Sequence, residues 1–311
     1  MTFNNSKIVL IDGFAASSYN VNKHSSHNFI CDIFEIHTFN AAHVNFVSNI
    51  PLSYDDSGNT KIVNTFLRNY KANFIFQMTT YYANQNSVVR SLSSKNTNIS
   101  GIINFLETEK YNSERQKITF ASCGKTKGNT DTMNKNFSVN TSNLSRFTPK
   151  YGGTLYAEYY SEVYNIPVFC VRISNNYGQQ VMFGNYTNLM PTIVNNVLLA
   201  QDIIISATGN ATRDLITSIN TVNILLKLIT ITFNKPEIFN GGTRIKGVIS
   251  TTVANVIFLS DSQIKIIYHT PKNSLHVKNR YLNVDLSIIL QIHNLILKLV
   301  DGLITTIKCI K

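Results

Sequence analysis

Short, β-branched apolar runs alternate with longer mixed segments along this chain of 311 residues. Nothing else in the sequence restricts the fold as much. A parallel strand pair needs a crossover of about a dozen residues or more, usually a helix, and buries both of its faces. Strands are expected at Lys7–Ile11, Phe29–Phe34, Phe74–Met78, Ile118–Ser122 and Val168–Ile173. Helices are expected at Lys61–Tyr70, Asn98–Glu109 and Tyr151–Tyr164. Right-handed crossovers through such a series build an α/β fold, a Rossmann-type doubly wound parallel sheet whose ligands gather at the carboxyl ends of the strands. The rhythm loosens after Gly178. Residues 1–178 are therefore expected to form the sheet domain, and residues 179–311 mainly a smaller C-terminal lobe with some return to the sheet.

Composition narrows the choice of partner. Lys and Arg number 28 against 17 Asp and Glu, a net charge of +11. Such a balance suits nucleic acid or a phosphate-bearing small molecule. No Lys/Arg run with interleaved aromatics is present, so a nucleic-acid partner is not expected. Cys31, Cys123, Cys170 and Cys309 are far apart and lack C-x-x-C spacing. Reduced cytosolic thiols are expected, with no metal site. The strand-like Lys7–Ile11 follows the first residues directly, with no secretory core before it. The apolar stretch Leu286–Ile304 is broken by Gln291, His293, Asn294, Lys298 and Asp301, which reads as an amphipathic helix, and no membrane partner is expected.

The motifs carry more. Pro149 to Glu158 reads Pro-Lys-Tyr-Gly-Gly-Thr-Leu-Tyr-Ala-Glu, followed by Arg172-x-x-Asn175-x-Tyr177-Gly178. Asn98-x-x-Gly101-x-x-Asn-Phe-Leu-Glu107 precedes them, and Gly209-Asn-Ala-Thr-Arg213-Asp214 and Asn240-Gly-Gly-Thr243 follow. Together these resemble the NAD-dependent nucleotide-sugar epimerase/dehydratase family, the extended short-chain dehydrogenases. The pattern is nearest to UDP-glucose 4-epimerase-like proteins, and the resemblance covers essentially the whole chain. It implies that a catalytic Tyr exchanges a proton with the sugar hydroxyl while NAD takes the hydride. A Lys four residues later holds the nicotinamide ribose and makes the Tyr more acidic.

On the cofactor side, the family's Gly-rich turn aligns with Ile11-Asp12-Gly13-Phe14-Ala15-Ala16-Ser17-Ser18. Gly13 is retained, while the three motif glycines fall on Asp12, Ala15 and Ser18. A carboxylate at Asp12 opposes the attraction of a helix amino end for phosphate. The resemblance also implies an acidic residue for the adenine ribose, either Asp32 or Glu35, and an adenine contact at Asn49. Gln77 and Thr79 end the strand that passes beneath the cofactor, and Asn98 opens the next helix motif.

On the reacting side, Tyr151 takes the place of the catalytic Tyr, but the position four residues on is Leu155. Glu158 follows Tyr151 by seven residues where the family has eight. A free phenol titrates near about 10 and needs a nearby cation to work at neutral pH. Lys150, Lys125 and Lys127 are the stand-ins on offer. The family's catalytic hydroxyl falls on Cys123, a weaker donor, with Ser122 one position off. Gly124-Lys125 replaces the Asp-Glu of the dehydratases, which disfavours dehydration. Substrate residues are better kept: Asn175 and Arg213 match the family's contacts to the nucleotide-sugar diphosphate.

Two readings stay open. One is an NAD-dependent epimerase acting at carbon 4 of a UDP-hexose. The other is a homologue that keeps nucleotide-sugar contacts without oxidation. The resemblance further implies a homodimer through a four-helix bundle, for which Tyr156, Tyr159, Tyr160 and Val163 supply outer positions.

Overall fold

The apolar runs do become the strands of one sheet. A computed structural model describes residues 6–12, 31–37, 52–54, 64–65, 67–68, 73–78, 99–112, 116–123, 148–178, 189–206, 208–231, 237–269, 279–280, 282, 284 and 297–310. Its strands are β1 (Ser6–Asp12), β2 (Cys31–His37), β3 (Leu52–Tyr54), β4 (Phe74–Gln77), β5 (Lys117–Cys123), β6 (Val168–Ile173) and, later in the chain, β11 (Glu237–Gly241). These seven lie side by side in the order β11-β6-β5-β4-β1-β2-β3. β1 pairs in parallel with both β2 and β4, β2 with β3, and β4 with β5. The order reverses beside β1 and β4, which is where a doubly wound sheet opens its ligand crevice. The second strand starts and ends later than its apolar run suggested, at Cys31–His37 rather than Phe29–Phe34.

Helices α1 (Gly101–Lys110) and α2 (Thr148–Tyr164) pack on this sheet. Alternation along the strands explains how. Ile118 and Phe120 of β5 share a cluster with Val168 and Cys170 of β6 and with Ile102, Phe105, Leu106, Ala157 and Tyr160 of the helices. All four residues of β4 are buried, as expected of a strand covered on both faces. Helix α2 begins three residues earlier than Tyr151. Around the expected helix Lys61–Tyr70, residues 64–65 and 67–68 are helical.

The chain divides into two compact units. The first takes Met1–Cys123, Ser145–Arg172 and Val222–Phe239, and the second takes Gly124–Leu144, Ile173–Thr221 and Asn240–Lys311. The second unit contains β7 (Asn175–Tyr177), α3 (Leu189–Leu198), β8 (Ile203–Ser206), β9 (Thr212–Arg213) and β10 (Leu215–Thr217). Helix α4 (Ser218–Ile229) leads back to the first unit. Then come β12 (Gly247–Val248), α5 (Ile249–Leu259), β13 (Ile266–His269), β14 (Asn279–Arg280) and α6 (Leu299–Ile310). Its core joins Ile193 and Val197 of α3, Leu215 of β10, Val253 and Val256 of α5, and Leu303 and Ile307 of α6. Among the described residues no helix is long and apolar enough to cross a membrane.

Candidate functional site

In the first unit, α2 turns one stripe to the sheet. Lys150, Thr154, Ala157 and Ser161 follow helical spacing and are all buried. Thr154 Oγ1 donates to Lys150 O at 3.0 Å, so its proton is committed. Ser122 Oγ, 2.9 Å away on β5, is therefore the donor of the pair. The Lys150 amine donates to Ala121 O at 2.7 Å and sits 4.8 Å over the Phe120 ring. A lysine is rarely buried unless it is satisfied in this way. Ser122 and Lys150 thus brace α2 against β5.

Tyr151 lies one residue round the helix from this stripe and is half-buried. Leu155, the position where the family carries Lys, is 46% exposed. Counted back from Glu158, the family's spacing instead reaches Thr154 and Lys150, the two residues that face β5. Sequence reading missed that shift because it anchored the motif on the Tyr. It also passed over Arg172, which is 3% exposed near the end of β6. Burial draws the Arg172 guanidinium below its ordinary value, and the Glu158 carboxylate works against that shift.

Cys170, on the same face of β6, is a buried free thiol pushed up to about 12, first by burial and then by Glu158. Unfolding returns it to the ordinary thiol value of about 9.0. The native state then holds a proton that the unfolded chain has lost, so stability falls as pH rises from 9 toward 12. Urea midpoints should drop across that window, and Cys170→Ala should flatten the drop; an unchanged slope would refute the assignment.

Cys123 ends β5 and Asp12 ends β1, beside His37. Asp32 sits near the amino end of β2 opposite Lys7, whereas Glu35 lies two residues from its carboxyl end. Gln77 is buried at the carboxyl end of β4, next to Ile11. Gly13, Ala15, Ser18, Asn49, Thr79, Asn98, Lys125 and Lys127 lie outside the described residues. No cluster of metal-binding side chains occurs among those described.

In the second unit, the motifs at Asn175, Arg213 and Asn240 converge. Asn175 opens β7, which pairs in parallel with β10. Its N–H donates to Asp214 O at 3.1 Å. Tyr177 is buried and donates to Leu299 O at 3.1 Å. Gly178 has φ 149°, and a Cβ there would collide with Ser218 Oγ, so the closing glycine of that motif is required sterically. Arg213, half-buried on β9, donates from Nη1 to Thr212 O at 2.7 Å, and burial lowers its pKa. On the adjacent β14, Arg280 stands in register with Arg213. Asp214 is 1% exposed, and burial raises its carboxyl above the usual range. It accepts from Thr243 N at 2.8 Å, Thr243 Oγ1 at 2.7 Å and Leu282 N at 3.3 Å. Asn220 clamps the segment before α6, donating to Leu297 O at 2.8 Å and accepting from Leu297 N at 3.1 Å.

A parallel sheet whose strand order reverses beside β1 and β4 is a Rossmann-type doubly wound fold. The family model described as the NAD dependent epimerase/dehydratase family matches residues 22–242, and the chain belongs to that family. No curated protein matches the sequence significantly. Among solved structures, a Thermotoga maritima UDP-glucose 4-epimerase with UDP-glucose is similar at 17% identity and a TM-score of 0.84, covering 97% of this chain and 98% of that one. A Methanobrevibacter ruminantium UDP-N-acetylglucosamine 4-epimerase is similar at 15% identity and a TM-score of 0.83, covering 98% of each chain. A Bacillus anthracis dTDP-glucose 4,6-dehydratase in complex with NAD is similar at 17% identity and a TM-score of 0.81, covering 98% of this chain and 96% of that one.

Proposed function

We propose that this chain is a cytosolic NAD-dependent nucleotide-sugar epimerase that inverts carbon 4 of a UDP-hexose by transient oxidation. The observation that carries this reading is the substrate-side cluster, where Arg213 and Asn175 flank a fully bonded Asp214. Solved neighbours named for UDP-sugars and for NAD support it. NAD, when bound, supplies the hydride acceptor, and the crevice beside β1 and β4 suits it. Gln77 and Glu35, near the carboxyl ends of β4 and β2, would contact NAD, whereas Asp32 lies toward the amino end of β2; by family resemblance Asp12, Gly13, Ala15, Ser18, Asn49, Thr79 and Asn98 would contact it too. Tyr151 would take and return the hydroxyl proton. Cys123 would be the second donor ahead of Ser122, whose proton goes to Thr154.

The burial of Lys150 and Thr154 against β5 favours a second reading, a nucleotide-sugar binder without turnover. Incubation with UDP-galactose and NAD separates the two. Interconversion with UDP-glucose supports the epimerase, UDP binding without turnover supports the binder, and binding of neither ligand sinks both. The reading also includes a homodimer through α2, where Leu155, Tyr156, Tyr159 and Val163 are exposed. Tyr160 is not part of that face, since it is buried and bonded to Glu107. Sedimentation of a Tyr159→Glu, Val163→Glu variant as monomers, against dimeric wild type, is the expected result.

A further inference from the structure

We infer that Asp214 is the positioning residue of the anion site, fixing Arg213 and Asn175 relative to each other. This rests on the nucleotide-sugar reading for its ligand, but not for its geometry. The residue works through both its backbone and its side chain. Its carbonyl oxygen accepts the Asn175 N–H at 3.1 Å, which ties the start of β7 to the end of β9. Its nitrogen side is the peptide link to Arg213 itself. The carboxylate then decides where that link can sit.

One oxygen, Oδ1, gathers Thr243 N at 2.8 Å and Thr243 Oγ1 at 2.7 Å, with Ser174 Oγ at 3.5 Å. The other, Oδ2, receives Leu282 N at 3.3 Å. Three separate segments, at 174–175, 242–244 and 282, are thus indexed to one carboxylate. Gly242 lies so close that a Cβ would collide with Asp214 Oδ2 and come within 3.1 Å of Leu282 Cβ. The absence of a side chain there is what lets the carboxylate be enclosed. A buried carboxylate is costly unless its lone pairs are filled, and these donors fill them. An isosteric amide cannot replace it, because its NH2 would face the Leu282 or Thr243 donors.

Three variants test this by hydrogen exchange and by calorimetry with UDP and uridine. Asp214→Asn and Gly242→Ala are expected to speed exchange of the Asn175 and Thr243 amides at least tenfold, while Val256 and Ile216 in the same unit stay protected. UDP affinity should fall about tenfold or more in both, and uridine affinity should hold, because the loss follows the diphosphate. Thr243→Ser keeps both donors and should behave as wild type. Unchanged exchange at Asn175 would overturn the proposal, as would exchange raised throughout the unit, which marks a purely structural role. If wild type itself binds no UDP, the nucleotide-sugar reading fails, and the exchange result still decides the positioning role.

Discussion

Arg213→Met weakens UDP binding by roughly 100-fold while leaving the thermal midpoint close to wild type: this is the expected outcome of titration calorimetry and a melting scan. The reasoning starts from charge. A guanidinium forks onto phosphate oxygens through charge-assisted bonds worth about 1.5–3 kcal/mol each, and tenfold in affinity corresponds to about 1.4 kcal/mol. Burial opposes the charge on Arg213 in the ligand-free protein. Removing it therefore costs the fold little, since Met has similar length and no charge to desolvate. Arg213→Lys should lose about tenfold, keeping the charge but not the fork. Unaltered UDP affinity in both variants would remove Arg213 from the site.

Tyr151→Phe is expected to reduce UDP-galactose turnover by at least about 100-fold, the usual scale of a lost acid/base group. Lys150→Met should do something different. Successive residues on a helix face directions about 100° apart, so the two neighbours serve different surroundings. Lys150 donates to Ala121 O inside the α2–β5 contact. Its loss removes a charged hydrogen bond to a buried carbonyl and should lower stability by about 1–3 kcal/mol, with turnover per folded molecule retained. Steady-state rates and urea melts on the same preparations distinguish the two. A reversed pattern, with turnover lost at Lys150 and kept at Tyr151, would place the reacting group on the inward stripe.

How much of this the sequence disclosed depended on distance along the chain. Strand β6 was legible residue for residue, because Val168–Ile173 is a bounded run of apolar and β-branched side chains. The start of α2 was set three residues late at Tyr151, although Thr148-Pro149, a cap-type residue followed by a first-turn proline, was there to mark it. Lysine reads as a surface residue, so nothing in the sequence marked Lys150 as buried; only the pairing with Ala121 and Phe120 explains it. The Arg-Asp motif and the Asn-Gly-Gly-Thr motif were each visible. Their meeting at Asp214 joins positions 29 residues apart and could not be read from either alone. Arg172 was visible as a motif letter, but its burial near the end of β6 was not, because a charged residue reads as exposed.

Helix α6 touches none of the proposed ligand contacts, yet it underwrites them. Gly302 is bare where a Cβ would strike Thr217 and the Tyr177 hydroxyl, and that hydroxyl is anchored on Leu299. Tyr177 in turn ends the three-residue strand that Asn175 begins. Proteolytic clipping ahead of Leu299 would uncover an aromatic ring and loosen the far end of that strand. Preparations clipped ahead of Leu299 should therefore be set aside before any binding assay.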